Sequence, residues 1–254
     1  MNRFLVSATL AAAVVLPAMT AGATVGEKPV LTVLAASATK TAVLDAVAAF
    51  EKTHPDVVVR TSFAGSRAIV AELKAGTAAD VVVLCNRAAD PTLLSAPIDV
   101  ARYHSTLLVW KGAAARVRRP ADLIEAGVRL GDGVPNSVLA ATTRATLEKI
   151  AKDLGSEFPS RFEARVATTT ADNDELAHAV ASGAIDAAVL YPSDNIPGGT
   201  IEVPLAEKYR ASDTFAVALV KASSHAALAK QFESLVASPE GAALFRAHGS
   251  ESPR

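Results

Sequence analysis

The chain has 254 residues with 25 Lys+Arg against 26 Asp+Glu, a net charge of −1 that provides no basic surplus for a nucleic acid. Half of its residues are hydrophobic and one fifth are charged, which excludes a disordered chain and suffices for a sizeable core. The single cysteine, Cys85, excludes an internal disulfide and cannot by itself hold a structural zinc.

Asn2 and Arg3 precede an apolar run over 4–16, and Ala21-Gly22-Ala23 closes the stretch that follows. A short basic start, an apolar middle and an A-x-A end predict a secretory leader over 1–23, cleaved after Ala23, which sends the remainder out of the cytoplasm as a soluble protein. Beyond it, 30–34 reads as a buried strand, and Val43, Ala46, Val47 and Phe50 share one face of a helix that Pro55 stops. A strand over 57–61 follows, then a helix marked by Ile69, Val70 and Leu73 and stopped at Gly76, a strand over 81–84 and a short helix over 88–94. This βαβαβ order implies a mostly parallel sheet with helices on both faces.

The second half repeats the logic. Strands are predicted over 106–110, 128–130, 165–167, 187–190 and 215–220. Leu147, Ile150, Ala151 and Leu154 mark one helix, and Asp172-x-x-Glu175 opens another as a capping box. Leu228, Phe232, Leu235 and Val236 mark a late helix, and Ser238-Pro239 caps and starts the last. Two α/β lobes with no low-complexity linker fit a two-domain binding protein with a cleft, whose ligand sits beyond the carboxyl ends of the strands. The turns found there are small and rich in hydroxyls: 35–39, 62–67, 131–141, 172–174 and 191–194. Small side chains let backbone N–H groups approach an anion, and helix N-termini favour negative charge.

These turns carry a resemblance. LTVLAASAT from Leu31, SFAGSRAIVAELKAGTAADVVV from Ser62, GDGVP from Gly131, GAIDAAVLYPSD from Gly183 and FESLVASPEGAALFRAHG from Phe232 resemble, in that order, the periplasmic molybdate-binding proteins of ABC importers. The resemblance implies a type II periplasmic binding protein: lobe one over 24–105 plus 213–254, lobe two over 106–212, joined by crossover strands near 106–110 and 215–220. It implies a molybdate or tungstate oxyanion held by Ser37, Ser66, Ala140, Asn173 and Tyr191, with the metal inside the oxyanion rather than on direct protein ligands. No cofactor is implied. The implied partners are the anion and an importer permease in the inner membrane, with the protein acting as a periplasmic monomer. In the first turn the serine stands one place early, as A-A-S-A-T, and Val138-Leu139-Ala140-Ala141 replaces a V-P-A-G stretch. Arg67 stands where the family has a small polar residue and is expected to point to solvent, because a cation at a helix N-terminus is disfavoured without an anion nearby.

Other readings remain open at this level. The same fold can bind sulfate, a small organic acid or a phosphorylated metabolite as a sensor or adhesin. A secreted hydrolase would need Cys85 or Ser66 as nucleophile. The five histidines show no spacing that names a partner for Cys85, which is expected to be a buried thiol, and no P-loop, H-E-x-x-H or nucleophile elbow is present.

Overall fold

The computed structural model describes residues 28–253; the expected leader and its cleavage site lie outside them. The elements in chain order are β1 (Val30–Ala36), α1 (Lys40–Thr53), β2 (Val58–Ala64), α2 (Ser66–Lys74), β3 (Val81–Cys85), β4 (Ile98–His104), β5 (Thr106–Trp110), β6 (Leu130–Gly133) and α3 (Val138–Leu154). They continue with α4 (Phe158–Glu163), β7 (Val166–Thr170), α5 (Asn173–Ala181), β8 (Ala187–Leu190), β9 (Thr200–Val203), β10 (Ser212–Leu219), α6 (Ala226–Val236) and α7 (Pro239–Ala247).

The strands form two five-stranded sheets, ordered β2-β1-β3-β10-β4 and β7-β6-β8-β5-β9. Each sheet has one strand running against the other four, β10 in the first and β5 in the second. These are the two strands predicted to cross between lobes. β5 enters the second sheet one residue after β4 leaves the first, and β10 returns after 204–211. Each lobe is therefore closed by a strand that arrives from the other, which leaves two strand connections as the hinge.

Both sheets are covered on both faces. In lobe one, Leu31, Val33, Val81 and Val83 face a core with α1, α6 and α7, while Leu34, Val82 and Leu84 face a second core with α2. In lobe two, Leu107, Val109 and Val189 face the α3 and α4 side, and Leu108, Ala188 and Leu190 face α5. Alternation by two residues within continuous apolar runs is what a doubly covered sheet requires. Gly131 in β6 has a packing reason: a Cβ there would stand 2.4 Å from Ile185 Cδ1 and 2.5 Å from Leu176 Cδ1.

Several local expectations are corrected. Residues 88–94 are a turn rather than a helix: Pro91 cannot continue a helix, and Asp90 Oδ1 instead accepts the Thr92 N–H at 2.9 Å. The strands expected over 57–61, 128–130 and 165–167 run further toward their carboxyl ends. β4 is hidden in the sequence by a bulge. Phe215 pairs with Ala101 and Ala216 with Asp99, so Val100 is the extra residue and the alternation breaks there. The capping box at α5 is half formed, with Asp172 Oδ1 accepting the Glu175 N–H at 3.0 Å. Ser238 caps α7 as predicted, accepting the Gly241 N–H at 3.1 Å.

Candidate functional site

A cavity of about 240 Å³ lies between the lobes, lined by 36–38, 64–68, 134–139, Ala171, Asn173, Tyr191 and Phe215. These are the carboxyl ends of β1, β2, β6, β7 and β8, and four of the turns run directly into helices. The 3₁₀ turn Ser37–Thr39 leads into α1, Ser66 begins α2, Ser137 precedes α3 and Asn173 begins α5. First-turn N–H groups have no partner within their own helix, so this wall is rich in donors and carries the positive ends of helix dipoles. The lining contains no carboxylate and one cation, Arg67.

Ser37, Ser66, Asn173 and Tyr191 all line this cavity. Ser37 Oγ is buried and has no hydrogen-bond partner. Ser66 Oγ accepts the Cys85 N–H at 3.0 Å, which orients the hydroxyl and leaves its own proton for another acceptor. Asn173 sits at the first position of α5, with its amide held by Asp194 Oδ2 at 2.9 Å. Burial pushes the Asp194 carboxyl up to about 7, against the lowering effect of the Tyr191 N–H and the Asn173 amide.

Ala140 is not brought to the cavity. Its N–H is donated to Ser137 Oγ at 3.0 Å, the cap of α3, and the residue lies beyond the lining. The turn instead presents Val138 and Leu139, the first two residues of α3. Their signal in the sequence was the Ser137 cap itself, which uses the N–H three residues on and leaves the two before it. Asn136 in the same turn has φ 66°, the only non-glycine residue with positive φ among those described. Arg67 is exposed, as expected, but it also lines the edge of the cavity.

The resemblance implies that the Tyr191 phenol donates to the anion, and in the structure that O–H has a protein partner. Tyr191 lies against the cavity, but its O–H is donated to Asp213 Oδ2 at 2.5 Å. Thr142 donates to the same oxygen, and the Arg87 guanidinium pairs with Asp213 Oδ1. Arg87 also donates to Thr142 Oγ1 at 2.8 Å. Tyr191 and Thr142 come from lobe two, whereas Asp213 and Arg87 come from lobe one, so this network is a latch between the lobes. The Tyr191 ring stands 5.7 Å from Tyr103 and 6.0 Å from Phe215, inside the core of lobe one. Burial and the Asp213 carboxylate hold its phenol well above the ordinary range, so it stays protonated.

Two further features join the lobes. Lys40 Nζ meets Asp174 Oδ2 at 3.0 Å, and Gly65 approaches Ala171 so closely that a Cβ would lie 2.6 Å from the Ala171 carbonyl oxygen. Cys85 faces the latch, with Sγ 3.5 Å from Asp213 Oδ1. Burial and Asp213 push its thiol up to about 12, the opposite of what a nucleophile needs. Among the described residues no group of three or more His, Cys, Asp or Glu could hold a metal ion, and no helix is long and apolar enough to cross a membrane.

The chain is 27% identical to the molybdate-binding protein ModA of Mycobacterium tuberculosis over 241 residues, covering 92% of this chain and 88% of that protein. Among solved structures it is similar to the periplasmic molybdate-binding protein of Azotobacter vinelandii, with TM-score 0.71, 18% identity and coverage of 88% of this chain and 100% of that one. It is also similar to the sulfate-binding protein SubI of Mycobacterium tuberculosis, with TM-score 0.72, 16% identity and coverage of 89% and 87%. Both structures share its two-lobed type II fold. A family model described as bacterial extracellular solute-binding protein matches residues 31–251, and the chain belongs to that family.

Proposed function

We propose that this protein captures a tetrahedral oxyanion, molybdate or tungstate, in the cleft between its lobes and delivers it to an ABC importer in the inner membrane. Ser37 and Ser66 donate hydroxyl protons, and the first-turn N–H groups of Val138, Leu139 and Asn173 complete the cradle. Tyr191 supplies wall and latch rather than a donor. The lobes that close on the anion run over 24–105 with 213–254 and over 106–212. The protein works in the periplasm as a monomer, reached through the leader at 1–23, and binds and releases its ligand unchanged, with no cofactor.

The observation that carries this reading is the Ser37 hydroxyl, buried without a partner in a cavity whose lining has donors and no carboxylate. An unmade hydrogen bond in a buried site is costly, and an anion accepting from Ser37 offsets that cost. Neutral donors and helix dipoles can hold a dianion without the desolvation penalty of a buried counter-charge. The likeness to molybdate-binding and sulfate-binding proteins supports an oxyanion as the ligand class.

A thermal-shift panel of molybdate, tungstate, sulfate and phosphate tests it. A ligand at 100 times its Kd adds about 2.7 kcal/mol to the stability of the folded state. Molybdate and tungstate are expected to raise the unfolding midpoint more than sulfate does. A panel in which no tetrahedral oxyanion moves the midpoint contradicts the proposal.

A further inference from the structure

A second cavity of about 210 Å³ adjoins the cradle and shares Arg67, Asn136 and Ser137 with it. Its remaining walls are Ala140, Ala141, Ala145, Arg144 and Glu148 of α3. Arg67 comes from lobe one and Arg144 from lobe two, so closure brings two guanidinium groups to one space. Both are exposed, and neither belongs to the ion-paired arginines of the described residues, which are Arg87, Arg102, Arg116, Arg119 and Arg129.

Three features here are unfavourable in isolation. Arg67 is the second residue of α2, where the helix dipole repels a cation. Arg67 and Arg144 are like charges from opposite lobes. Asn136 holds a left-handed backbone between the two cavities. An anionic group in the outer cavity relieves the first two, and Asn136 lines both cavities. Glu148, one turn after Arg144 on the same helix, is the single carboxylate of the lining.

We propose that Arg67 and Arg144 form a second anion subsite beside the cradle, and that it takes the carboxylate of a small phosphate ester whose phosphoryl group occupies the cradle. The assignment rests on the oxyanion reading of the cradle and extends its ligand class from bare oxyanions to phosphorylated carboxylic acids. Guanidinium groups suit this role because their planar donors match a carboxylate edge-on.

Isothermal titration of the full chain with molybdate, ethyl phosphate and 2-phosphoglycolate separates the two sites, since the two esters differ by the carboxylate. 2-Phosphoglycolate is expected to bind at least about tenfold more tightly than ethyl phosphate, the scale of one charge-assisted hydrogen bond. Arg144→Gln, outside the cradle lining, is expected to remove most of that advantage while molybdate and ethyl phosphate bind as in wild type. Arg67→Gln is expected to remove it as well. Equal affinity for the two esters overturns the subsite, as does an advantage that survives both substitutions. Binding of molybdate with neither ester also overturns it and leaves the cradle standing. If molybdate and both esters fail to bind, the cradle reading falls and the subsite with it.

Discussion

The latch and the cradle face the same interlobe space and are built on opposite plans. At the latch both oxygens of Asp213 are taken, one by Tyr191 and Thr142, the other by Arg87 and the Cys85 thiol. At the cradle Ser37 has no partner, Ser66 keeps its proton and the α3 and α5 N-termini are turned inward. Charge therefore joins the lobes at the latch, and neutral donors are kept at the cradle, where the proposed anion would sit. On the proposed function, a latch satisfied by the protein alone would favour the form with the lobes together, and apparent affinity rises with the fraction of that form.

Breaking the latch is expected to have the largest effect. Asp213→Ala leaves the Arg87 cation, the Tyr191 phenol and the Thr142 hydroxyl without their shared acceptor. Losing one member of such a buried network costs about 3–5 kcal/mol, which urea unfolding would register as a large drop in midpoint. Ser37→Ala should do the reverse. It removes a buried hydroxyl that has no partner, so stability holds or rises slightly, while molybdate affinity falls by about 1.5–3 kcal/mol, roughly ten- to a hundredfold. If Ser37→Ala destabilised the fold as much as Asp213→Ala, the contrast between the two regions would be lost.

Gly65→Ala sharpens the comparison from the side of closure. The φ of −63° suits alanine, so lobe one should fold normally, but the new Cβ meets the backbone of lobe two at Ala171. Affinity should fall about tenfold, near 1.4 kcal/mol, with scattering showing a wider mean separation of the lobes. A separate effect, on the pH dependence of stability, concerns Asp194. Its carboxyl is raised to about 7, so between the unfolded value and 7 the native state holds more protons than the unfolded one. Stability should then fall as the pH rises through that window, by about 2–3 kcal/mol from about pH 5 to about pH 8. Asp194→Asn, which keeps an acceptor for the Tyr191 N–H, should flatten the dependence.

Much of the fold was legible because its strands are short apolar runs whose alternation survives burial on both faces, as in 81–85 and 187–190. β4 was not, since the bulge at Val100 breaks its period, and Pro91 and Asp90 hid a turn inside an apolar stretch. At the site, the small hydroxyl-bearing turns announced Ser37, Ser66 and Asn173 as residues at strand ends. The role of Tyr191 was not legible. Its partner Asp213 is 22 residues away and opens a strand of the other lobe, so only the crossed topology brings the two together. Ala140 falls just beyond the cavity lining because the Ser137 cap, not the loop sequence, decides which N–H groups of α3 stay free.

The most direct test of a donor-built cradle is calorimetric titration of molybdate into the wild-type chain and Ser37→Ala side by side. One molybdate per wild-type chain is expected, and in the variant a binding at least about tenfold weaker with an unfolding midpoint no lower than wild type. Equal affinity in the two proteins, or no binding to the wild type, would contradict a donor-built cradle.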